Sequence, residues 1–369
     1  MKITKLELKN FRNYETLSLK FNNNMNIFVG DNAQGKTNIL ESIVILALTK
    51  SHRTINNPNI VMFDKNMAKI KGVVKNDKII KKLEIRISKN EKQIFINNDK
   101  VKKIADYISN LGIIVFTPDD IDIIKGSPNI RRNLLNIQLS QISKEYLNTY
   151  NEYNKILKTR NEYLKVLFNN SIADKSYLDI ITDKLVEKAI VIYNMRNNYV
   201  EFINENINYY FKNIMGEDNL FINYVPNVEI DDFDHDILKE KLLKKFKDNY
   251  IKEQSYGMTL YGPHRDDFEF VLNEINLKLF GSQGQQKVAV LSYKLSEINI
   301  FNNYTGTKPV LLLDDIFSEL DIKKRNRLLK IINNDIQSIV TTTDLKNINK
   351  KYLNDAYVFY VKNGKIERK

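Results

Sequence analysis

One short glycine-rich stretch, GDNAQGKT at residues 30–37, limits what this chain can fold into more than any other feature. It matches the pattern G-x-x-x-x-G-K-[ST] in full. The predicted strand Met25–Val29 precedes it and the apolar helical segment Asn38–Leu48 follows it, which is the strand–loop–helix context of a phosphate-binding loop. These flanking elements make a chance match in a glycine-rich turn the weaker interpretation.

The residue types in this loop suit the phosphates of a nucleoside triphosphate. Glycine lets backbone N–H groups curl around phosphate oxygens, and a helix N-terminus adds positive potential. Lys36 is expected to reach the β- and γ-phosphates, and the Thr37 hydroxyl is expected to ligate Mg²⁺. The predicted nucleotide-binding residues of the loop are Gly30, Asp31, Asn32, Ala33, Gln34, Gly35, Lys36 and Thr37.

A magnesium carboxylate is expected at the end of a neighbouring buried strand. The run VLLLDD at residues 310–315 supplies one, because a continuous apolar run is typical of a parallel strand that is covered on both faces. We expect Asp314 to hold Mg²⁺ directly or through water, and Asp315 to orient and polarise the attacking water. Asp315 and Lys36 are therefore the predicted catalytic residues. A strand that merely ends in a polar turn is the alternative.

Length and composition predict a soluble protein with two structural units, since the chain has 369 residues of which 43% are hydrophobic. It contains no cysteine, which excludes disulfides, thiolate zinc sites and cysteine nucleophiles and fits a reducing compartment. The N-terminal segment lacks a signal-peptide pattern, and no apolar run is long enough to span a membrane. A cytoplasmic location without a membrane partner is the expectation.

The charge balance indicates a polyanionic partner. The formal net charge is +12, and nucleic acid is the commonest polyanion that such a surface binds. A general bias towards Lys, Asn and Ile is the alternative. Residues 61–103 carry thirteen Lys and Arg against five Asp and Glu. The DNA-binding candidates, which could also form a solvated basic face, are Lys71, Lys75, Lys81, Lys82, Arg86, Arg131 and Arg132.

Between residues 131 and 214, apolar residues recur near a heptad spacing on either side of a polar break at 169–176. This pattern predicts an antiparallel pair of helices of about 38 residues, each about 55–60 Å long. Arg160 and Arg196 occupy core-like positions, so we expect a short arm. The arm divides an α/β unit, and the predicted domains are an N-terminal half at 1–120 with the loop and a basic β meander, the helical insertion at 121–254, and a C-terminal half at 255–369.

The stretch GSQGQQ at residues 281–286 precedes a further helical pattern. Ser282 and Gln285 have the spacing of a capping box, which a simple helix cap explains. A cap does not require the flanking Gly281 and Gly284, and small residues at a helix start expose backbone donors to an anion. The stretch therefore has two interpretations, a cap alone or a second phosphate contact.

GSQGQQ followed by LLLDDIFSELD resembles the signature motif, Walker B motif and D-loop of the ABC-type ATPases that include SMC and Rad50 proteins. Within that group the chain resembles the RecF family of bacterial recombination mediators over nearly its whole length. The other stretches that carry this resemblance are LELKNFRNYETLSLKF, GDNAQGKTNILESI, FTPDDIDIIKGSPNIRRNLL and YGPHRDDFEF. The short arm and the absence of zinc-hook cysteines agree with it.

The resemblance implies an α/β fold, namely an ABC-type P-loop ATPase head with an antiparallel β subdomain and an inserted helical domain that carries a short antiparallel coiled-coil arm. It implies ATP and Mg²⁺ as cofactors and weak ATP hydrolysis that acts as a switch. It also implies a homodimer in which signature residues of one subunit contact nucleotide held by the other. The implied nucleotide contacts outside the loop are Ser282, Gly284 and Arg12.

The implied role is DNA repair. Proteins of this family would bind single-stranded gaps and their junctions with duplex DNA. They would help RecR and RecO to load RecA in recombinational repair, replication restart and SOS induction.

Some positions depart from the wider group or stay open. Asp315 stands where many ABC-type ATPases have Glu, and TTTD at 341–344 replaces the usual switch histidine, which leaves Thr343 or Asp344 as the candidate γ-phosphate sensor. TPDD at 117–120 lies roughly where a Q-loop is expected. Four further residues could contact phosphate or DNA, or belong to ordinary turns: His52, Arg53, His264 and Arg265.

Three alternatives compete with a RecF-type function. A P-loop kinase would use Lys36 to transfer phosphate to a small molecule, but it leaves GSQGQQ unexplained. A transporter ATPase subunit shares the signature, but it should show a histidine switch and needs neither a basic segment nor an arm. An SMC-like structural protein would carry a much longer arm.

Overall fold

The computed structural model describes residues 1–54, 56–76, 79–169, 174–216, 219–332, 336–346 and 348–368. The chain forms two compact units, the first comprising residues 1–121, 209–217 and 287–369 and the second comprising residues 122–208 and 218–286. Residues 255–286, which the sequence analysis assigned to the C-terminal half of the head, thus group with the helical insertion.

The strands are β1 Lys2–Phe11, β2 Tyr14–Lys20, β3 Met25–Val29, β4 Met67–Asn76, β5 Ile79–Ser88, β6 Lys92–Ile96, β7 Asp99–Lys100, β8 Ile113–Phe116, β9 Leu220–Val225, β10 Asp267–Leu272, β11 Ile275–Asn276, β12 Val310–Leu313, β13 Ser338–Thr342, β14 Tyr357–Lys362 and β15 Lys365–Arg368. The α-helices are α1 Lys36–Leu48, α2 Asp122–Lys125, α3 Pro128–Ile142, α4 Lys144–Asn169, α5 Lys175–Met215, α6 His235–Asp248, α7 Tyr250–Tyr256, α8 Leu277–Phe280, α9 Gln283–Thr305, α10 Ile322–Ile332 and α11 Lys350–Asn354.

The first unit contains a six-stranded sheet in the order β15-β14-β3-β13-β12-β8. The five strands from β14 to β8 run parallel, and β15 is an antiparallel edge strand. Every residue of β3, β12 and β13 is buried, as expected for parallel strands that are covered on both faces. The predicted buried strand before Asp314 is confirmed.

The parallel arrangement places the loops that carry the predicted nucleotide-site residues at one edge of this sheet. The phosphate loop follows β3, Asp314 and Asp315 follow β12, TPDD follows β8, and TTTD begins within β13. Because these strands run parallel, their carboxyl ends lie along the same edge, which is where open α/β sheets bind ligands.

An antiparallel sheet of the first unit has the order β2-β1-β4-β5-β6-β7. Its β4-β5-β6 portion is the basic β meander predicted within residues 1–120, and residues 77 and 78 between β4 and β5 lie outside the described residues. Helix α1 contacts β4 and β5 of this sheet and β8 and β13 of the parallel sheet. Burial between these sheets explains why the apolar residues of α1 are not confined to one face of the helix.

The second unit is mainly helical, with the small sheet β11-β10-β9. Helix α4 has 26 residues and α5 has 41, and contacts between them follow an antiparallel register. These contacts are Tyr163–Tyr177, Arg160–Thr182, Glu152–Lys188 and Tyr146–Arg196. The predicted short antiparallel arm is thereby confirmed.

The first predicted helix of the arm is wrong in one respect, because it is two helices. Ser143 separates α3 from α4 with an extended backbone (φ −135°, ψ 113°). Its Oγ accepts a hydrogen bond from the Tyr146 backbone N–H at 3.1 Å, so it acts as the cap that starts α4. Among all the helices that the structure describes, none is both long enough and apolar enough to cross a membrane.

Candidate nucleotide-binding site

The phosphate loop has the backbone geometry that its sequence predicts. Ala33 and Gly35 have positive φ values of 62° and 108°, and a Cβ atom on Gly30 would lie 2.3 Å from the carbonyl oxygen of Val361. Helix α1 then begins at Lys36 without a side-chain cap on its first N–H groups. The Asn38 N–H donates to the Gly35 carbonyl oxygen at 3.0 Å, so the donors of Lys36 and Thr37 are the ones available to an anion.

Lys36 places its charge inside this loop. Its side chain is buried, and its Nζ donates to the carbonyl oxygens of Gly30 at 2.5 Å and Asp31 at 2.8 Å. Burial lowers the pKa of Lys36, and the negative charges of Asp315, Asp314 and Asp31 oppose that shift. The ammonium group thus sits between the loop and the carboxylates that follow β12.

Asp314 lies opposite the start of α1, as the sequence predicted. Its Oδ1 accepts hydrogen bonds from the Thr37 hydroxyl at 3.0 Å and from the Thr341 hydroxyl at 2.6 Å. The pairing of β12 with β13 brings Thr341 to this position. A hydroxyl and a carboxylate in contact are hard oxygen ligands of the kind that Mg²⁺ prefers, so the pair fits the predicted metal role.

Asp315 adopts a strained backbone conformation beside the same group. Its φ is 47°, a value that residues other than glycine seldom take. Its backbone N–H donates to Thr341 Oγ1 at 2.9 Å, and its Oδ2 accepts from the Ser318 hydroxyl at 3.0 Å. Oδ1 is buried and has no hydrogen-bond partner in the structure. Burial raises the pKa of Asp315, although Ser318 and Lys36 favour its ionised form.

A carboxylate with one buried and unpartnered oxygen is suited to orienting a water molecule or a metal-bound water. The structure therefore places Lys36, Thr37, Asp314 and Asp315 together, as the sequence analysis required. Thr341 was missed because it is the first of three consecutive threonines, 341–343, and nothing in the sequence pattern distinguishes them.

Arg12 lies next to the loop, but each of its side-chain nitrogen atoms donates a hydrogen bond to another residue of the protein. Nε and Nη2 donate to the two oxygens of Glu41 at 2.9 and 2.6 Å, and Nη1 donates to the Asn59 carbonyl. Glu41 is fully buried in α1. Burial alone would raise the pKa of Glu41, but hydrogen bonds from Arg12 and Ser51 hold it below its usual value. Arg12 thus anchors α1 through Glu41, and a nucleotide contact by Arg12 stays a prediction.

Glu41 was missed in the sequence. An acidic residue inside the apolar run ILESIVIL was the available signal, since a buried Glu requires a partner. Arg53 also approaches this carboxylate at 3.6 Å and donates to Asn38 Oδ1 at 2.9 Å, whereas His52 is exposed.

The capping box predicted at the start of α9 is present in full. The Ser282 N–H donates to Gln285 Oε1 at 3.0 Å, and the Gln285 N–H donates to Ser282 Oγ at 3.2 Å. The two neighbouring glycines differ, however. A Cβ atom on Gly281 would lie 2.6 Å from the Leu277 carbonyl oxygen, whereas one on Gly284 would meet nothing within 4 Å. Packing among described residues explains Gly281 but not Gly284.

Most of the predicted DNA contacts share one face of the antiparallel sheet. Strand register places Lys71 opposite Glu84 and Lys75 opposite Ile80, so residues of even number on β5 face outwards with them. Lys82 and Arg86 therefore belong to this face, which we call the basic sheet face. Sequence reasoning missed further cations in the same register, among them Lys5, Lys9 and Lys69.

Two observations reduce the positive charge that the predicted DNA contacts bring to the basic sheet face. Glu84 is buried and pairs with Lys69 at 3.2 Å, Lys71 at 3.1 Å and Arg86 at 2.6 Å, so part of the positive charge is compensated. Lys81 has the opposite parity and donates to Asn110 Oδ1 at 2.7 Å. Lys81 therefore lies away from the basic sheet face.

The structure argues against DNA contact by Arg131. This side chain is only 4% exposed, and it donates to both oxygens of Asp267 and to the carbonyl oxygens of Ile123 and Gly126. Because charge in the sequence does not reveal a partner 136 residues away, the prediction could not anticipate this burial. Arg132 is half-buried and donates to the Asp266 carbonyl at 2.7 Å.

The GPHRDD stretch is mostly structural. His264 Nδ1 lies 2.6 Å from Tyr153 Oη, and Nε2 lies 3.1 Å from the Thr259 carbonyl oxygen. Burial lowers the pKa of His264 to about 4, so it is neutral near pH 7 and offers no charge to phosphate. Asp266 is buried against Arg196. Arg265 remains exposed.

The candidate sensor and Q-loop segments also have defined positions. Asp344 is exposed and Thr343 half-buried. In TPDD, Asp120 Oδ2 accepts from the Thr117 N–H at 2.7 Å, and Asp120 Oδ1 lies 3.5 Å from the buried Lys294 of α9. TPDD thus occupies the carboxyl end of β8, beside β12.

Known proteins resemble this chain over nearly its whole length, and not only in the motifs of the nucleotide site. A family model described as "RecF/RecN/SMC N terminal domain" matches residues 2–367. The DNA replication and repair protein RecF of Enterococcus faecalis (strain ATCC 700802 / V583) is 40% identical over 371 residues, covering 100% of this chain and 99% of that protein. RecF of Listeria welshimeri is 40% identical over 370 residues, covering 100% of both chains.

Solved structures resemble this chain over its whole length as well. The structure titled "Structure of the recombination mediator protein RecF-ATPrS in RecFOR pathway" has a TM-score of 0.91 and 32% identity, covering 100% of this chain and 98% of that chain. An Smc head bound to the C-winged helix domain of ScpA has a TM-score of 0.58 at 15% identity, covering 100% of this chain and 97% of that chain, and supports the fold alone.

Proposed function

The chain belongs to the RecF family of DNA replication and repair proteins, and from that premise we propose that it is an ATP-switched DNA-binding protein of the RecFOR pathway. ATP binding, with Mg²⁺, closes a homodimer on DNA, and slow hydrolysis releases it. The contact of Thr37 with Asp314, beside Lys36 and the unpartnered oxygen of Asp315, carries this proposal.

Each residue of the nucleotide site has a role in this proposal. The uncapped start of α1 and Lys36 bind the phosphates, which fits the ATP-bound state named for one structural relative. Thr37 and Asp314 hold Mg²⁺, which neutralises phosphate charge when it is bound. Asp315 orients the attacking water through its free Oδ1. Its side chain is shorter than the Glu of many ABC-type ATPases, so slow turnover is expected.

The open position at Gly284 supports the dimer. Its backbone faces space rather than packed atoms, and Ser282 beside it is exposed. Small residues at a helix start permit close approach of an anion. We propose that the γ-phosphate held by a second copy of the chain approaches this point, so that ATP joins the two subunits.

DNA binds the basic sheet face in this proposal. Contacts from Lys71, Lys75, Lys82 and Arg86 reach the phosphate backbone, so binding is nearly independent of sequence and weakens steeply with salt. The preferred DNA is a single-stranded gap or its junction with duplex. RecR and RecO act with the protein to load RecA, in keeping with the pathway named for the structural relatives.

Sedimentation velocity with and without Mg-ATP tests the dimer. Wild type should dimerise only with nucleotide, and Ser282→Arg should bind ATP yet remain monomeric. Gln285→Ala is the matched control, because it weakens the same capping box without adding bulk at Ser282. If Gln285→Ala abolishes dimerisation equally, or if neither variant does, the stretch is a helix cap and the proposed contact of Ser282 and Gly284 with the second copy's nucleotide is refuted.

DNA binding has its own matched pair. The triple substitution Lys71→Gln, Lys75→Gln and Lys82→Gln should weaken binding to a gapped duplex and reduce the slope of log K against log[salt] by about 3. Lys81→Gln removes one charge from the same hairpin but not from the basic sheet face, so it should leave the slope unchanged. Equal effects of single Lys81→Gln and Lys82→Gln variants would remove the basic sheet face from the proposal.

A further inference from the structure

The hydroxyl of Thr341 joins the two acidic residues that follow β12. Thr341 is fully buried in β13, which lies between β12 and β3 in the parallel sheet. Its Oγ1 donates to Asp314 Oδ1 at 2.6 Å and accepts the backbone N–H of Asp315 at 2.9 Å. One side-chain atom therefore serves two neighbouring residues with different tasks.

The first bond fixes the carboxylate of Asp314. Oδ1 receives both the Thr341 hydroxyl and the Thr37 hydroxyl. With Oδ1 held from two directions, the carboxylate plane is set, and Oδ2 is the oxygen left for Mg²⁺ or a water bound to it. Hydrogen bonds to a ligating carboxylate of this kind orient metal ligands and tune metal affinity.

The second bond supports the unusual backbone of Asp315. A residue with φ of 47° persists only when its surroundings hold it there. The Thr341 oxygen receives the N–H of this residue, and the Ser318 hydroxyl holds Oδ2 from the other side. The same anchoring leaves Oδ1 of Asp315 buried and without a partner.

We infer that Thr341 is a positioning residue for Mg²⁺-dependent nucleotide binding, acting through its hydroxyl on Asp314 and on the backbone of Asp315. This inference rests on the proposed ATP site. It differs from the expectation that Thr343 or Asp344 senses nucleotide, because in the described part of the chain neither of those side chains hydrogen-bonds to Asp314 or Asp315. If Thr341 merely filled space in a buried strand, valine would replace it well.

The test compares Thr341→Val, which keeps size and loses the hydroxyl, with Thr341→Ser, which keeps the hydroxyl. The full-length protein is titrated with ATP at a series of Mg²⁺ concentrations and in EDTA, with binding measured by calorimetry. Thr341→Val should raise the Mg²⁺ concentration for half-maximal tight binding by about tenfold and leave binding in EDTA unchanged. Thr341→Ser should stay within about twofold of wild type.

Thr342→Val is the matched control on the same strand. Thr342 is also buried, but its hydroxyl donates to the Asp344 carbonyl rather than to either acidic residue after β12. It should leave the Mg²⁺ dependence unchanged. If Thr341→Val fails to fold, Thr341→Cys, whose thiol is a weak donor of similar size, takes its place.

Two outcomes overturn the inference: an unchanged Mg²⁺ dependence in the folded Thr341 variant, or an equal shift in Thr342→Val. Failure of the proposed function is distinguishable, because wild type itself would then bind no ATP at any Mg²⁺ concentration. A shift in Thr341→Val that Thr341→Ser does not show supports the role of the hydroxyl.

Discussion

Both units of the protein bury charged side chains, but they complete the hydrogen bonds around those charges to different degrees. In the second unit, Arg196 donates to Asp266, Asn136, Tyr146 and the carbonyl oxygen of Pro263. In the first unit, the carboxylate of Asp315 keeps one buried oxygen without a partner. Similar residue types thus produce a saturated cluster in one place and an unsaturated cluster in the other.

Arg160 shows how complete the second unit's clusters are. It is 1% exposed, and each of its three nitrogens has a side-chain acceptor, on Thr182, Thr259 and Glu253. The other oxygen of Glu253 accepts the Leu260 N–H at 2.8 Å. A charge that is fully paired inside a protein leaves nothing for a ligand, so these clusters hold helices together.

The first unit keeps the opposite balance around its phosphate loop. Lys36 donates only to backbone carbonyls, and the free oxygen of Asp315 costs stability that a satisfied group would not. Functional sites commonly retain such unfavourable arrangements because a ligand completes them. The nucleotide site thus differs from the Arg160 and Arg196 clusters in keeping a buried carboxylate oxygen that no protein group satisfies.

The largest effect is expected from Asp266→Asn. This substitution leaves Arg196 buried with a charge that no longer has a counterion, so the free energy of unfolding should fall by about 3–5 kcal/mol. Urea unfolding followed by circular dichroism without nucleotide measures it. ATP affinity of the folded fraction should be unchanged. A loss below about 1 kcal/mol would mean that the saturated cluster is not what stabilises the second unit.

His264 gives the second unit a pH dependence. Its folded pKa of about 4 lies below the ordinary value of 6.5, so the unfolded chain binds more protons between these values and stability falls as pH drops from 6.5 towards 4. Between pH 7 and pH 5 the loss should be about 2 kcal/mol.

The comparison of wild type with His264→Gln by urea unfolding at both pH values isolates this contribution. The variant should show a correspondingly smaller loss. An identical loss in both proteins would assign the pH dependence to other groups.

Asp315→Asn should change stability in the opposite direction. It removes a carboxylate whose pKa burial raises, so unfolding should require about 0.5–1 kcal/mol more, while ATP hydrolysis is lost. Thermal unfolding without nucleotide and phosphate release with ATP measure the two effects. A destabilised variant would contradict the view that the nucleotide site is unsaturated before ligand binds.

The smallest effect is expected from Glu152→Gln on the arm. Glu152 pairs with Lys188 at 2.6 Å, but the two side chains are 54% and 37% exposed. Solvent screens such a pair, so stability should change by less than about 0.5 kcal/mol. This variant calibrates the series, and a loss comparable to that of Asp266→Asn would break the distinction between saturated burial and surface pairing.

The nucleotide site could be predicted from the sequence because its elements are local. The phosphate loop fixes a strand, a turn and a helix within 24 residues of one another (25–48), and an apolar run ending in two acids indicates the buried strand beside it. Ser282 and Gln285 likewise form their capping box within four residues. Neighbouring residues determine these features, so the pattern contains the answer.

The features that the sequence did not predict depend on contacts between residues that are far apart in the chain. Arg131 appeared as a surface cation because its partner Asp267 is remote in sequence. The break at Ser143 was invisible because the heptad spacing continues across one extended residue. Strand β1 lies between β2 and β4, an insertion that alternation of apolar residues cannot reveal. Apolar periodicity predicts helices and strands, but it does not predict which of them pair or pack together.

The position of β3 in its sheet has a consequence for synthesis of the protein. β3 precedes the phosphate loop, yet both its neighbours, β13 and β14, come from residues 338–362. During translation the loop is made long before the strands that pair with β3, so β3 has two unpaired edges until residues 338–362 have been synthesised. A nascent chain that lacks residues 338–362 therefore exposes both edges of the strand before the phosphate loop to aggregation or to chaperones.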